Sequence, residues 1–205
     1  LVIIESTSYP GSTEELALPK LSEHLGTVGK DFFLAFSPER IDPGNESFKI
    51  SNTPRVVGGV TLNCASRAAD FYRALVGDVF LVAGTREAEM SKLLENTYRH
   101  VNIALVNELA QLCPLLDVDL WDAIRCASSK PFGFEAFYPG PGVGGHCIPI
   151  DPNYLSHRVR TYLGQPFRFV ELAQEINSGM PLYVVKRAQE ALNRLQLPVR
   201  GSRVL

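Results

Sequence analysis

Cys147 closes a glycine-rich run, and a carboxylate, Asp151, follows four residues later. A sulfur in that setting can be exposed to a bound substrate and attack a carbonyl carbon as its thiolate. His146 is not an obvious base for it, because adjacent side chains in extended structure point to opposite sides. Lys92 and Asn96 are spaced i, i+4 in a helical stretch and therefore share a face. An ammonium and an amide so placed would stabilise an alkoxide or thiolate opposite them; the same spacing also describes an ordinary solvated turn. Glu39 follows a proline at a strand end, either as a surface carboxylate or as a base at the carboxyl edge of a sheet, where open α/β folds bind ligands.

Other patterns carry less. Gly140-Pro141-Gly142-Val143-Gly144-Gly145 formally matches G-x-G-x-x-G, but Pro139 stands where a strand should precede it, and Pro149 and Pro152 interrupt what should be a helix. What remains is either a structural Gly/Pro turn or a loop whose backbone N–H groups can approach a ligand closely. Cys64, Cys113 and Cys126 lie in helical, partly apolar stretches that suit small buried hydrophobes, and no C-x-x-C pair occurs, so all four thiols are expected reduced. The four histidines show no ligand-spaced pair, which argues against a metal site.

The elements that must position these residues follow from pattern. Apolar or β-branched runs predict strands over 1–5, 32–36, 55–60 and 78–83, the first of them buried and parallel. Helical patterns cover 12 or 13 to 25 and 62–75 between them, an alternation that marks an α/β fold. From Gly84 the character changes. Thr85 reads as a cap, with Glu87 and Glu89 facing the positive end of the helix dipole. Met90, Leu93, Leu94, Val101, Leu105, Leu109 and Leu112 then form the apolar stripe of one amphipathic helix over 86–113. Further helix is predicted over 119–127 and over 169–195, interrupted near Gly179 and Pro181, with an ordered Gly/Pro loop over 128–152. The expected fold is α/β over 1–84, followed by a largely helical portion over 85–205.

Composition sets the outer limits. With 45% hydrophobic and 20% charged residues the 205-residue chain is globular. Twenty Lys+Arg against 22 Asp+Glu leave a net charge of −2, which offers no basic surplus for nucleic acid or a membrane surface. The longest apolar runs, 1–4 and 32–36, are far short of the roughly 20 residues that span a bilayer. No charged leader with a small-residue cleavage site is visible, so the cytoplasm is the expected compartment. A start inside a strand and a stop at Arg203-Val204-Leu205 suggest a piece of a longer protein.

Taken in order, Glu5-Ser6-Thr7, Phe36-Ser37-Pro38-Glu39-Arg40, Val57-Gly58-Gly59, Glu87-Ala88-Glu89-Met90-Ser91-Lys92 with Asn96, and Gly144-Gly145-His146-Cys147-Ile148-Pro149-Ile150-Asp151-Pro152 resemble the nucleotide-sugar 6-dehydrogenases, which oxidise UDP-sugars to uronic acids with NAD. The resemblance spans about residues 1–180 and implies that 1–84 are the C-terminal part of an NAD-binding Rossmann domain, with the terminal part of a Rossmann-like parallel sheet, that 85–200 are an all-helical central domain for dimerisation and the catalytic cysteine, and that 201–205 start a UDP-binding domain. It implies that Cys147 holds the aldehyde as a thiohemiacetal and then a thioester. Lys92 and Asn96 would stabilise the oxyanion, and Asp151 would position water or Lys92. Glu39 and Thr7 would handle proton transfer and the hydrolytic water, Ser6 and Thr7 would touch the cofactor, and Arg40 would join the substrate contacts. The backbone from Tyr138 through Gly140 and Gly142 to Gly144 would wrap the UDP-sugar. A homodimer through the helix near 85–113 is also implied.

Substrate choice rests on departures within the motifs. Glucose-oxidising members carry a second Glu four residues after the one matching Glu39, and here that position is Pro43. The run from Ser37 to Asn45, with His146 and Ile148 around the cysteine, looks more like the branch acting on UDP-N-acetylhexosamines, and UDP-N-acetylglucosamine is preferred to the mannosamine isomer. Three alternatives stand beside this reading: a UDP-glucose 6-dehydrogenase, a non-catalytic dimerisation module, and a cysteine hydrolase or acyltransferase using Cys147 with a distant His such as His100 or His157. The isolated 205-residue chain is expected to be inactive.

Overall fold

The computed structural model describes residues 1–41, 44, 46–145 and 148–204. Packing divides the chain into two units, Leu1–Asn96 with Asp151–Gly164, and Thr97–Ile150 with Gln165–Leu205.

In the first unit a four-stranded sheet has the order β1 (Val2–Ile4), β2 (Leu34–Phe36), β3 (Arg55–Gly59), β4 (Val79–Leu81). The outer pairs are parallel and the middle pair is antiparallel, with Ala35 opposite Gly59 and Phe36 opposite Gly58. The sheet is thus mostly parallel, as the α/β reading requires, with one reversed junction that strand periodicity does not reveal. β2 is fully buried, as a continuous apolar run in a central strand should be. β1, expected to be buried, is only half-buried because it forms the edge of this sheet.

Helix α1 (Leu18–Leu25) follows a turn of π-helix over Thr13–Ala17, and α2 (Leu62–Arg73) is capped by Thr61, whose Oγ1 accepts from the Cys64 N–H at 3.2 Å. Ala68, Tyr72 and Val76 close the core over Ala35 and Val57, with Ile3 and Val79 packed around them. The glycine pair at the end of β3 is steric in origin. A Cβ on Gly58 would lie 2.0 Å from the Gly84 carbonyl oxygen, and one on Gly59 would lie 2.2 Å from the Ala65 nitrogen. Only glycine lets the strand meet both following helices so closely.

The long helix α3 (Thr85–Leu112) departs from its amphipathic reading. Met90, Leu94, Leu105 and Leu112 of the expected stripe are exposed, while the buried positions are Thr85, Ala88, Glu89, Leu93, Thr97, His100, Ala104, Val106 and Asn107. Thr85 does not cap it: its Oγ1 donates to Glu14 at 3.0 Å.

In the second unit, α4 (Leu120–Ser128) is capped by Asp119, which accepts from the Trp121 and Asp122 N–H groups. Val106, Cys113, Leu120 and Ile124 form its core, joined by Leu109, Ala110, Ala136 and Phe137. Cys64 and Cys113 are buried free thiols as expected, whereas Cys126 is free but exposed.

Two helices correct the expectations from proline. α5 (Asp151–Leu163), which belongs to the first unit, starts where the Gly/Pro loop was expected to end, because Pro152 occupies the first turn, where a missing N–H removes no helical bond. α6 (Arg168–Arg194) runs unbroken through Gly179 and Pro181. Its neighbours there are held by other contacts: Tyr183 donates to the Ala110 carbonyl at 2.8 Å and Gln111 to the Met180 sulfur at 3.5 Å. Packing outweighs the helix cost of one proline. Among the described residues no helix is long and apolar enough to cross a membrane.

Candidate active site

The first unit collects most of the sequence-derived candidates. Asp151, at the head of α5, is 4% exposed, and its Oδ2 accepts from Asn96 Nδ2 at 2.6 Å and from Thr7 Oγ1 at 3.1 Å. Thr7 lies in the loop after β1, Asn96 on α3, and Asp151 on α5, so one buried carboxylate ties three elements together. A buried carboxylate needs such donors to offset its lost hydration.

Lys92, one turn before Asn96, donates from Nζ to the backbone carbonyl of Glu39. The shared face inferred from the i, i+4 spacing therefore looks onto the loop after β2 and the head of α5 and is not a solvated turn. Glu39 is engaged through both carboxylate oxygens. Oε1 accepts from the backbone N–H groups of Arg40 at 2.8 Å and Ile41 at 2.7 Å, and Oε2 from Arg55 Nη2 at 2.9 Å. Burial pushes the Glu39 carboxyl up, but the Ile41 N–H, the Arg55 guanidinium and the Arg40 N–H together outweigh it and hold the group below its ordinary value of 4.5. Arg40 pairs with Glu95 at 2.7 Å and donates to the Pro54 carbonyl at 3.1 Å. Ser6 is exposed on the same loop as Thr7.

The remaining candidates fall elsewhere. Tyr138 is in the second unit, exposed and stacked on Trp121 with ring centroids 5.6 Å apart. In that unit the Gly140 N–H donates to Asn107 Oδ1 at 2.9 Å, and Gly142 and Gly144 carry positive φ values of 152° and 74°. Cys147, with His146, lies outside the described residues, and so does Pro43. His100, offered as a base in the hydrolase alternative, is fully buried with neither ring nitrogen partnered among the described residues, and burial lowers its pKa; His157 is exposed on α5.

Two residues were missed. Glu89, read as a dipole partner, is 1% exposed and accepts from the Gly11 N–H, the Ser12 hydroxyl, and both the N–H and the hydroxyl of Thr13. It clamps the segment after Thr7 onto the helix that carries Lys92. It stands three residues before Lys92 on an adjoining part of the helix surface, and only the fold makes its burial legible. Arg55, read as the first residue of a strand, is 6% exposed and paired with Glu39. A charged residue opening an otherwise apolar strand run was the available clue.

Comparison with known proteins adds a family. Residues 1–76 match the UDP-glucose/GDP-mannose dehydrogenase family, NAD binding domain, and residues 86–179 match the central domain of the same family. The UDP-N-acetyl-D-glucosamine 6-dehydrogenase of Pseudomonas aeruginosa is 37% identical over 207 residues, covering 100% of this chain and 48% of that protein. The UDP-N-acetyl-D-mannosamine dehydrogenase of Methanococcus maripaludis strain C7 is 36% identical over 195 residues, 95% of this chain and 42% of its own length. A solved UDP-D-ManNAc dehydrogenase from Pyrococcus horikoshii superposes with a TM-score of 0.85 at 40% identity, over 96% of this chain and 46% of that one. The chain spans about half the length of the curated relatives it matches.

Proposed function

Because the chain belongs to the UDP-glucose/GDP-mannose dehydrogenase family, we propose that it serves the NAD-dependent, two-step oxidation of the C6 hydroxymethyl group of a UDP-N-acetylhexosamine to the uronic acid. The observation that carries this reading is the joint at Asp151 Oδ2, which fixes Thr7 and Asn96 about one carboxylate, with Lys92 a turn away on the same helix.

The hydroxyls of Ser6 and Thr7 stand just past the carboxyl end of β1, the edge at which α/β sheets receive ligands, and their donor chemistry fits a nicotinamide dinucleotide. Bound NAD supplies the hydride acceptor for each oxidation. The protein's own groups do the rest. Lys92 and Asn96 present N–H donors to the developing alkoxide at C6, which would otherwise carry its charge unaided. The Cys147 thiolate forms a bond to the aldehyde carbon, whose oxygen takes up a proton, and the thiohemiacetal so made gives up that hydroxyl proton to solvent and a hydride from its carbon to become a thioester. Water then adds at the acyl carbon and expels the thiolate, leaving the carboxylate. Covalent capture keeps the aldehyde bound between the two oxidations. Asp151 keeps the Asn96 amide and the Thr7 hydroxyl in place, and Thr7 aligns the water.

A UDP-N-acetylhexosamine is preferred to UDP-glucose because Pro43 stands where a second glutamate is expected, and because the relatives named above act on such sugars. The test places this sequence in a polypeptide with a complete cofactor fold and offers NAD with UDP-N-acetylglucosamine, UDP-N-acetylmannosamine and UDP-glucose in turn. The expected result is uronic acid from an N-acetylhexosamine with two NADH per sugar, and none from Cys147→Ser. Double oxidation surviving in Cys147→Ser, or turnover of UDP-glucose alone, would overturn the reading. The 205-residue chain alone is expected to release no NADH.

A second copy of the chain is the partner this reading carries. Leu94, Tyr98, Leu105 and Leu112 on α3 are 46–61% exposed, an apolar stripe that a single copy leaves uncovered. The same stripe supports the alternative of a dimerisation module without catalysis. Sedimentation of the chain with and without NAD and UDP-sugar separates the two: a dimer that ignores both ligands favours the module.

A further inference from the structure

We propose that Arg55 is a positioning residue for the candidate site, which ties the Glu39 carboxylate to the sheet and presents it as a fixed anion. The antiparallel junction creates this placement. β3 runs against β2, with Gly58 opposite Phe36, so the start of β3 extends past the end of β2 and brings Arg55 to the edge where β1 and β2 finish. There the guanidinium donates from Nη2 to Glu39 Oε2 at 2.9 Å and from Nη1 to the Pro38 carbonyl at 3.1 Å, and it lies 3.7 Å from Glu5 Oε1. Its underside faces the Tyr72 ring, 5.3 Å from the centroid, and the Tyr72 hydroxyl donates to the same Glu5 oxygen at 2.6 Å.

The arginine is 7% exposed at its side chain and Glu39 is 43% exposed, so the cation is sealed in the fold while the anion faces outward. That asymmetry is what a positioning pair requires. A buried guanidinium is held in one orientation by its fork of donors, and it transmits that orientation to the carboxylate it grips. The other charged groups around Glu39 are accounted for: Arg40 is drawn to Glu95 on α3, and Lys92 donates to the Glu39 backbone carbonyl, not to its carboxylate. Arg55 is therefore the cation bonded to the Glu39 side chain among the described residues.

The consequence deepens the dehydrogenase reading and rests on it. Glu39 serves the sugar site as a stationary negative charge and hydrogen-bond acceptor, not as a base that takes up a proton in each cycle. A carboxyl held low by its partners is a poor proton acceptor near neutral pH.

The test uses the 205-residue chain with ¹³C-labelled glutamate side chains, Glu39 being assigned through Glu39→Gln. Wild-type Glu39 should titrate below 4.5. Arg55→Gln should raise the midpoint by about one pH unit, and Arg55→Lys should restore part of the shift, since an ammonium keeps the charge but loses the fork. Should Arg55→Gln not fold, the wild-type guanidinium carries the test. Its two Nη groups should give separate nitrogen resonances that merge in Glu39→Gln, because a gripped guanidinium cannot rotate freely. A Glu39 midpoint at or above 4.5, a midpoint unmoved by both Arg55 variants, or resonances indifferent to Glu39→Gln would each overturn the proposal. None of these readouts uses sugar or cofactor, so a failure of the dehydrogenase assignment would leave them intact.

Discussion

The two units bury polar groups in different ways. In the first, the buried charges Glu89, Arg55 and Asp151 each meet several donors or acceptors at 2.5–3.1 Å. In the second, the buried polar set among the described residues is neutral: Asn107 donates to Asn177, Asn177 donates to the His100 carbonyl at 3.2 Å, and the His100 ring finds no partner among them. Buried charge is tolerable only when it is fully bonded, and full bonding fixes the elements that carry it. The unit that holds Thr7, Glu39, Lys92, Asn96 and Asp151 is accordingly cross-linked by charge, and the helical unit relies on apolar packing with a short polar seam.

The largest effect should come from cutting the charged clamp. Glu89→Ala leaves the Gly11 and Thr13 N–H groups and two hydroxyls facing a void, which should cost about 3–5 kcal/mol of unfolding free energy in urea. A loss below about 1 kcal/mol would mean that water replaces the carboxylate and that the clamp is not what holds this unit. The neutral seam should be weaker. Asn177→Ala removes two bonds at a 4% exposed position and should cost about 1–3 kcal/mol. If it equals or exceeds Glu89→Ala, the contrast between the units is wrong.

What could be read in advance follows the same divide. The strands, the helices around them and the Lys92–Asn96 face were legible because periods of 2 and 3.6 are written locally. Asp151 could not be tied to Asn96 or Thr7 from sequence, because the partners are 55 and 144 residues away and only the chain path joins them. The burial of α3 was only partly legible for a related reason: of the stripe, Leu93 is buried but Met90, Leu94, Leu105 and Leu112 are exposed. Its leucine stripe is the more apolar face, yet the fold buries the face carrying Glu89, Thr97, His100 and Asn107, whose polarity is satisfied or tolerated by tertiary contacts. Pro152 and Pro181 misled in opposite ways, one starting a helix and one sitting inside it. Proline reports a missing donor, not whether that donor is needed.

The smallest predicted effect is also the most diagnostic of the second unit. Burial lowers the His100 pKa below 6.5, so the folded chain keeps the ring neutral where the unfolded chain begins to bind a proton. Stability contributed in this way is complete above 6.5 and declines as the pH falls through the unfolded value toward the folded one, by at most about 1.4 kcal/mol per pH unit. His100→Phe fills a comparable volume without a titrating group. It should flatten the part of the pH–stability curve just below 6.5 that belongs to the helical unit, leaving the acid losses from Glu39 below 4.5 in place. Urea melts of both chains across that range measure it directly. If wild type and His100→Phe lose stability in parallel, the ring is bonded or hydrated in solution, and the helical unit then satisfies its buried polar groups as completely as the unit that carries the charges.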